Sequence, residues 1–210
     1  MNRRAYVRIS LKRDFREADK ILEAFVVWPG QGRLDIYDMS FGGAAIGRPR
    51  DFEARVGEKL QLQFVLGSAE PVFADIEVAW STPTAIGFKL VNLSVEARRV
   101  FDHFLQDQVV GASMRLVDRQ YFAPNLDCEF WYHGPRDTNV MLWPGLQRVV
   151  IEMGDDVLQI ENNDLVLNGR SSEDAELRRF LSRAVALLTQ MSDPEGPMRP
   201  LITLLSGKIR

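Results

Sequence analysis

The chain has 210 residues, of which 46% are hydrophobic and 26% charged, as is typical of a globular protein with one large domain or two small ones. The formal net charge of -3 argues against bulk nucleic-acid binding, because such proteins usually carry a basic surface. A lone cysteine, Cys128, excludes an intramolecular disulfide and a cysteine-based zinc cluster. No apolar run reaches about 18 residues, and no secretory signal is apparent. We therefore expect a cytoplasmic protein without a transmembrane helix.

The first half of the chain is a series of short alternating runs. Its first twenty residues are strongly charged and, by themselves, indicate a solvated arm. Beyond them, apolar and polar side chains alternate between turn residues, which predicts short antiparallel strands. We interpret as strands the residues 21–28, 33–37, 44–46, 60–66, 72–80 and 86–90. This pattern predicts a small antiparallel barrel or sandwich.

A polar corner separates the second and third of these strands. It contains Asp38 and Ser40, followed by Gly42 and Gly43. A carboxylate can accept two parallel N–H bonds, and a hydroxyl can donate or accept one. The glycines allow positive φ and a close approach of a ligand to the backbone. The set suits the donor edge of a guanine, or a phosphate.

The charged arm supplies the complement to this corner. Arg4 and Arg8 stand in an R-x-x-x-R arrangement, with Arg3 immediately before it. Guanidinium groups bind phosphate oxygens bidentately and can also grip the O6/N7 edge of guanine.

Together, R-x-x-x-R and the following D-x-S-x-x-G resemble the PilZ domain, the receptor module for cyclic di-GMP. The segments 74–80 and 86–90 resemble the closing strands of the PilZ barrel. The resemblance covers residues 1 to about 110 and implies a six-stranded antiparallel β-barrel. The matching residues are Arg4, Arg8, Asp38, Ser40 and Gly43.

The resemblance also implies roles for these residues. Arg4 and Arg8 would clasp phosphates and guanine faces of the dinucleotide, and Asp38 would accept from a guanine N1/N2 edge. Ser40 would support the same ligand, and Gly43 would let the backbone come close. In the family, an arginine at the position of Arg3 is associated with binding a stacked ligand dimer.

A helix is predicted directly after the barrel. Ser94 is a candidate N-cap, and Glu96 in the first turn favours the helix dipole. Apolar residues then recur at intervals of three and four, so one face should close the bottom of the barrel or pack against the next domain. His103 lies on the opposite face, where it is expected to be a surface residue.

The second half, residues 111–210, is predicted to be a separate α+β output or interaction domain and resembles no family that we recognise. Alternating segments at 126–132, 140–143, 149–151, 157–160 and 165–167 predict an antiparallel meander of about five strands. A long helix should begin at Ser171 or Ser172 and stop at Pro194. A short apolar segment, 201–205, should dock back onto a neighbouring element.

Candidate chemistry in this half has simpler explanations. Asp155 and Asp156 could be metal ligands, but Gly-Asp-Asp between two strands is better explained as a turn. Residues 162–164 are likewise turn residues. Cys128 is expected to be a buried hydrophobe rather than a nucleophile.

Two further features of the second half remain open. His133, at the head of a turn-rich loop, should face away from Cys128 because strand residues alternate between faces. Trp131 and Trp143 are either core or a partner surface.

These patterns predict a cyclic di-GMP receptor that folds its arm over the barrel when the dianionic ligand binds. It would then regulate a protein partner through the C-terminal domain, with no other cofactor or metal and without enzymatic activity. One alternative is a degenerate PilZ adaptor that acts by protein–protein contact alone. A second is an enzyme with its catalytic residues in 112–210, although no convergent acid, base and nucleophile set is visible there.

Overall fold

The computed structural model describes residues 6–11, 22–50, 52, 55–67, 69–169, 174–191 and 196–209. The chain divides into two compact units, Met1–Val109 and Val110–Arg210. Among the helices in these described ranges, none combines the length and apolar character needed to span a bilayer.

The first unit is built on an antiparallel sheet that closes on itself. Its strands are β1 (Ile9–Ser10), β2 (Ala24–Trp28), β3 (Gly32–Ser40), β4 (Gly43–Gly47), β5 (Lys59–Leu66), β6 (Val72–Ser81) and β7 (Ala85–Val91). Their order is β1-β3-β2-β5-β6-β7-β4, and an additional pairing of β3 with β4 closes β2 to β7 into a six-stranded barrel. The predicted barrel is confirmed.

The barrel core follows from the alternation seen in the sequence. In β5 and β6, buried and more exposed residues alternate along most of each strand. Phe64 of β5 is fully buried, with its ring centroid 5.9 Å from that of Phe88. The next element, α1 (Val95–Ser113), begins as predicted, because Ser94 Oγ accepts a hydrogen bond of 3.0 Å from the backbone N–H of Ala97. Phe101 of α1 places its ring 5.0 Å from Phe64, so the helix covers the core of the barrel.

The described end of the N-terminal arm is already part of the sheet. Ile9 is 1% exposed and lies opposite Met39, and the backbone N–H of Leu11 donates to the carbonyl of Tyr37 at 2.8 Å. The expectation of a solvated arm is therefore wrong for residues 9–11. Burial of the isoleucine and the hydrogen bonds to β3 hold this short segment against the barrel.

The second unit contains a six-stranded antiparallel meander. Its strands are β8 (Arg115–Leu116), β9 (Phe130–Gly134), β10 (Thr138–Leu142), β11 (Arg148–Met153), β12 (Asp156–Glu161) and β13 (Asp164–Leu167). They pair in sequence order. The meander was predicted, but β8 was missed because two residues are too short to show alternation. His133 lies inside β9 rather than in a loop.

Two helices complete the second unit, α2 (Asp174–Leu188) and α3 (Met198–Ile209). The predicted long helix is α2, but it ends at Leu188, so the prediction that it continues to a stop at Pro194 is wrong. The proposed caps Ser171 and Ser172, like Pro194, lie outside the described residues. The apolar segment 201–205 forms part of α3. A side chain at Gly111 would place its Cβ 2.0 Å from the carbonyl oxygen of Leu187, so the end of α1 and α2 approach backbone to backbone.

Candidate ligand-binding site

The predicted polar corner is a tight hairpin between β3 and β4. Ser40 pairs with Gly43, which leaves Phe41 and Gly42 as the connection. Ser40 is 8% exposed, and its Oγ donates to the Gly43 carbonyl at 3.3 Å and accepts from the Gly42 N–H at 3.4 Å. The serine hydroxyl thus holds the shape of the corner from within.

The backbone of Gly43 lies against a neighbouring strand. Neither Gly42 nor Gly43 adopts a positive φ, so the expectation that the corner exploits left-handed backbone is wrong. A Cβ at Gly43 would lie 2.1 Å from the carbonyl oxygen of Phe88 on β7. The close approach that this glycine permits is therefore that of the neighbouring strand.

Gly42 makes room for the arm. A Cβ there would lie 2.9 Å from Cδ2 of Tyr6. The Tyr6 ring also meets Phe41 edge to face, with centroids 6.4 Å apart. The aromatic residue between the two arginines of R-x-x-x-R is thus seated on the two central residues of the turn.

The two motifs meet on the barrel surface. Arg8 Nε lies 3.0 Å from Asp38 Oδ1, and their side chains are 28% and 29% exposed. The pairing of Ser10 with Asp38 across β1 and β3 sets this geometry. Among the residues that the sequence singled out, the structure brings together Arg8 and Asp38 and places both beside the turn of Ser40 and Gly43. Arg3 and Arg4 lie outside the described residues.

Asp38 begins a row of residues that crosses the sheet. Ala45 lies opposite Asp38, Gly87 lies opposite Ala45, and Trp80 lies opposite Gly87. The Trp80 ring occupies the space above Gly87, since a Cβ there would lie 2.1 Å from the indole. The row thus has an ion pair with Arg8 at one end, two small residues in the middle and an aromatic ring at the other end.

The sequence pattern missed Trp80. In the sequence, Trp80 continues the alternation of apolar residues in β6, which gives it no separate role. The register of β6 and β7 shifts between Val78 and Trp80, and Trp80 is 37% exposed. Such an irregularity redirects a side chain. The available signal was the glycine opposite it, because Gly within a strand often marks a close approach.

The other candidate residues of the second unit have structural roles. Cys128 is 1% exposed, and burial raises the pKa of its thiol, which disfavours the reactive thiolate. His133 is exposed within β9, whereas Cys128 is buried in the segment that precedes β9, so the two residues do not share the strand on which the alternation argument placed them. Asn162 and Asn163 form the predicted turn, with φ of 50° and 71°. Within the described ranges, no three His, Cys, Asp or Glu side chains form a metal-binding group.

A polar network on the second sheet was also missed. Asn139 Nδ2 donates to Glu152 Oε2 at 2.8 Å. Asn139 Oδ1 therefore accepts, and it receives the indole N–H of Trp131 at 2.9 Å and faces Nδ1 of His133 at the same distance. The partners come from three strands, so no local spacing in the sequence reveals them. Trp131 and Trp143 are half-buried, which places them neither in the core nor fully on the surface.

A family model for the PilZ domain matches residues 2–107. The barrel, most of its closing helix and the corner with its arginine partner lie within these residues. The chain belongs to the PilZ domain family.

Three solved structures are similar to the first half of the chain. The PilZ domain with c-di-GMP of YcgR from Escherichia coli is 17% identical, with a TM-score of 0.37, over 50% of this chain and 91% of that one. The K. pneumonia MrkH–c-di-GMP complex is 17% identical, with a TM-score of 0.41, over 51% of this chain and 52% of that one. The Bacillus subtilis inhibitor of motility, MotI/DgrA, is 18% identical, with a TM-score of 0.38, over 51% and 52%. No curated protein matches the chain.

Proposed function

We propose that this protein is a cyclic di-GMP receptor that binds the dinucleotide on the barrel surface around Arg8 and Asp38. The observation that supports this most directly is the 3.0 Å approach of Arg8 Nε to Asp38 Oδ1, which joins the two motifs at one place. Arg8 would turn its guanidinium to a phosphate or a guanine edge, and Asp38 would accept from guanine N1 and N2.

The energetics favour exchange of the ion pair for a ligand. A partly exposed ion pair contributes about 1 kcal/mol or less. Each charge-assisted hydrogen bond to a ligand contributes about 1.5–3 kcal/mol. Arg8 and Asp38 therefore gain more from the two ends of a dianionic guanine dinucleotide than they lose by separating.

The remaining motif residues would act in two ways. Ser40 and Gly43 would keep the corner in the shape that presents Asp38, through the hydrogen bonds within the turn and the close contact with β7. Arg3 and Arg4 would add phosphate contacts. Trp80, with an exposed ring at the far end of the same row, would offer a surface on which a base can stack.

The response to ligand would begin from an arm segment that is already paired with β3. Separation of Arg8 from Asp38 would change the surface beside β1 rather than fold a free arm. We assign to residues 111–210 the role of transmitting this change to a protein partner. They would act as the output domain of a cytoplasmic receptor without enzymatic activity. Hydrogen exchange that slows or quickens at residues 115–134 on addition of cyclic di-GMP would support this assignment, and unchanged exchange there would contradict it.

Calorimetric titration of cyclic di-GMP into the full chain tests the receptor proposal. Arg8→Ala should weaken binding by at least about 2 kcal/mol, or about 30-fold. Arg55→Ala, which removes an exposed arginine elsewhere on the barrel, is the matched control and should leave the affinity unchanged. Equal affinities for wild type and Arg8→Ala would sink the assignment.

Cyclic di-AMP sharpens the test of Asp38. Adenine lacks the N1–H and N2–H donors of guanine, so a carboxylate at this position should favour cyclic di-GMP. Asp38→Asn should therefore weaken the binding of cyclic di-GMP more than it weakens the binding of cyclic di-AMP.

The alternative of a PilZ adaptor without nucleotide is favoured by the same ion pair, because Arg8 and Asp38 also satisfy each other as a purely structural contact. Absence of binding by the wild type, together with a lower melting temperature for Arg8→Ala, would select the adaptor.

A further inference from the structure

A cavity of about 520 Å³ opens beside the corner, within the first unit. Its walls include Tyr6 and Phe41, Lys89 near the end of β7, and Arg98 and Asp102 of α1. The volume is in the range of small-molecule sites, about 300–1,000 Å³. Tyr6 and Phe41 occupy variable positions of the two motifs, so the motif spacing assigns them no role.

Arg98 and Asp102 form a matched pair of hydrogen-bonding groups. They are one helical turn apart, so they share a face of α1. Both are exposed, and neither forms an ion pair in the part of the chain that the structure describes. A guanidinium supplies donors for guanine O6 and N7, and a carboxylate accepts from N1 and N2. The pair therefore complements the polar rim of a guanine base.

The aromatic wall supplies the second element of base recognition. Tyr6 is 54% exposed, and its ring meets Phe41 at 63° between planes. Exposed aromatic faces bind bases by stacking, independently of the hydrogen bonds made at the base edge. The cavity is thus bordered both by aromatic rings on which a base can stack and by side chains that can hydrogen-bond to the edge of that base.

Lys89 connects the cavity to the row that starts at Asp38. It lies opposite Gly43 and two residues beyond Gly87 on β7. Residues two apart on a strand point to the same face and are about 6.6 Å apart. An ammonium group in this position lies between the cavity and the row, where a phosphate that joins two nucleosides would be placed.

We infer that this cavity binds a guanine base in addition to the one held at Arg8 and Asp38, with Arg98 and Asp102 reading the base edge and Lys89 binding the adjacent phosphate. The inference rests on the proposed function. The additional guanine belongs either to the same cyclic dinucleotide or to a second molecule of it, and the two sources differ in stoichiometry.

Calorimetry on the full chain with cyclic di-GMP distinguishes these sources. If wild type binds one ligand, Arg98→Ala and Asp102→Asn should each weaken binding at least tenfold at unchanged stoichiometry, which indicates one spanning molecule. If wild type binds two, the variants should bind one, which indicates a second molecule. Arg99→Ala, an exposed neighbour on a different side of the helix, should match wild type in either case.

The inference fails on its own if Arg98→Ala and Asp102→Asn keep wild-type affinity and stoichiometry while Arg8→Ala loses binding. If wild type binds no cyclic di-GMP, the receptor proposal fails, and the cavity is then tested with GMP by amide NMR. Shifts of Asn92, Leu93 and Arg98 that are absent in Asp102→Asn would retain a guanine site in the cavity. Unshifted amides would overturn it.

Discussion

The two sheets of this protein both carry polar groups on an outward face, but they use them differently. On the barrel, Arg8 Nε lies 3.0 Å from Asp38 Oδ1, next to small residues that leave the surface open. On the second sheet, Asn139 links Trp131, His133 and Glu152 through contacts of 2.8–2.9 Å.

The barrel surface is therefore suited to exchanging its polar contacts for a ligand, whereas the surface of the second sheet is suited to keeping its own contacts. A partly exposed ion pair can be replaced by a ligand at small cost. A network in which one amide satisfies three neighbours loses several hydrogen bonds at once when any ligand intrudes. Polar character alone therefore does not identify a binding site, and the connectivity of the polar groups decides which surface can open.

The largest expected effect concerns the backbone contact that shapes the barrel corner. Gly43→Ala would place a methyl group 2.1 Å from the Phe88 carbonyl oxygen, so β4 and β7 must separate. We expect a loss of about 3 kcal/mol or more in the free energy of unfolding, because backbone, unlike a side-chain tip, cannot yield locally. Urea denaturation, followed by hydrogen exchange of the barrel strands, measures it.

Gly207→Ala is the matched control, since a Cβ at this helical glycine meets nothing within 4 Å. It should leave stability unchanged or raise it by about 0.5–1 kcal/mol. A Gly43→Ala protein as stable as Gly207→Ala would show that the corner tolerates a wider strand spacing than the structure indicates.

The sequence could predict some elements of the fold and not others, and the length of each element explains the difference. The barrel strands were predictable because β5 and β6 alternate over many residues. By comparison, β1 and β8 are two residues each, too short for any period to show, and they form because tertiary contacts hold them. The long helix α2 was predictable because apolar residues recur at intervals of three and four along it, at Leu177, Phe180, Leu181, Ala184 and Leu188.

For the site, the sequence located Arg8 and Asp38 because both belong to spaced motifs. It did not locate Trp80, whose direction depends on a register shift between two strands, or the close contact of Gly43 with β7. Local spacing thus reports residues that act within one segment. A role that depends on a neighbouring strand can be assigned only when the register of the sheet is known.

The second expected effect tests whether the network on the second sheet is structural. Asn139→Leu removes the acceptor of Trp131 and His133 and the donor to Glu152. Loss of these partly buried bonds should reduce the free energy of unfolding by about 1–2 kcal/mol. The Trp131 indole N–H resonance should also move upfield.

Asn125→Leu, at an exposed position, provides the control and should change stability by less than about 0.5 kcal/mol. If Asn139→Leu is equally mild and binds cyclic di-GMP as wild type does, the network contributes to neither stability nor the proposed function, and the contrast between the two faces weakens.

The smallest expected effect concerns Cys128, in the segment that precedes β9, where burial raises the pKa of the thiol. Below about pH 8.5, the usual thiol pKa, the folded and unfolded chains both hold the proton and this group's contribution is fully present. As the pH rises further, the unfolded chain ionises first, so stability falls until the pH passes the raised folded pKa. Wild type should therefore lose more stability than Cys128→Ala between pH 8 and 10, measured as a shift in urea midpoint. Equal losses in the two proteins, or rapid reaction of the native thiol with an aromatic disulfide, would mean that Cys128 is accessible, so that the second unit too has a region able to exchange its contacts.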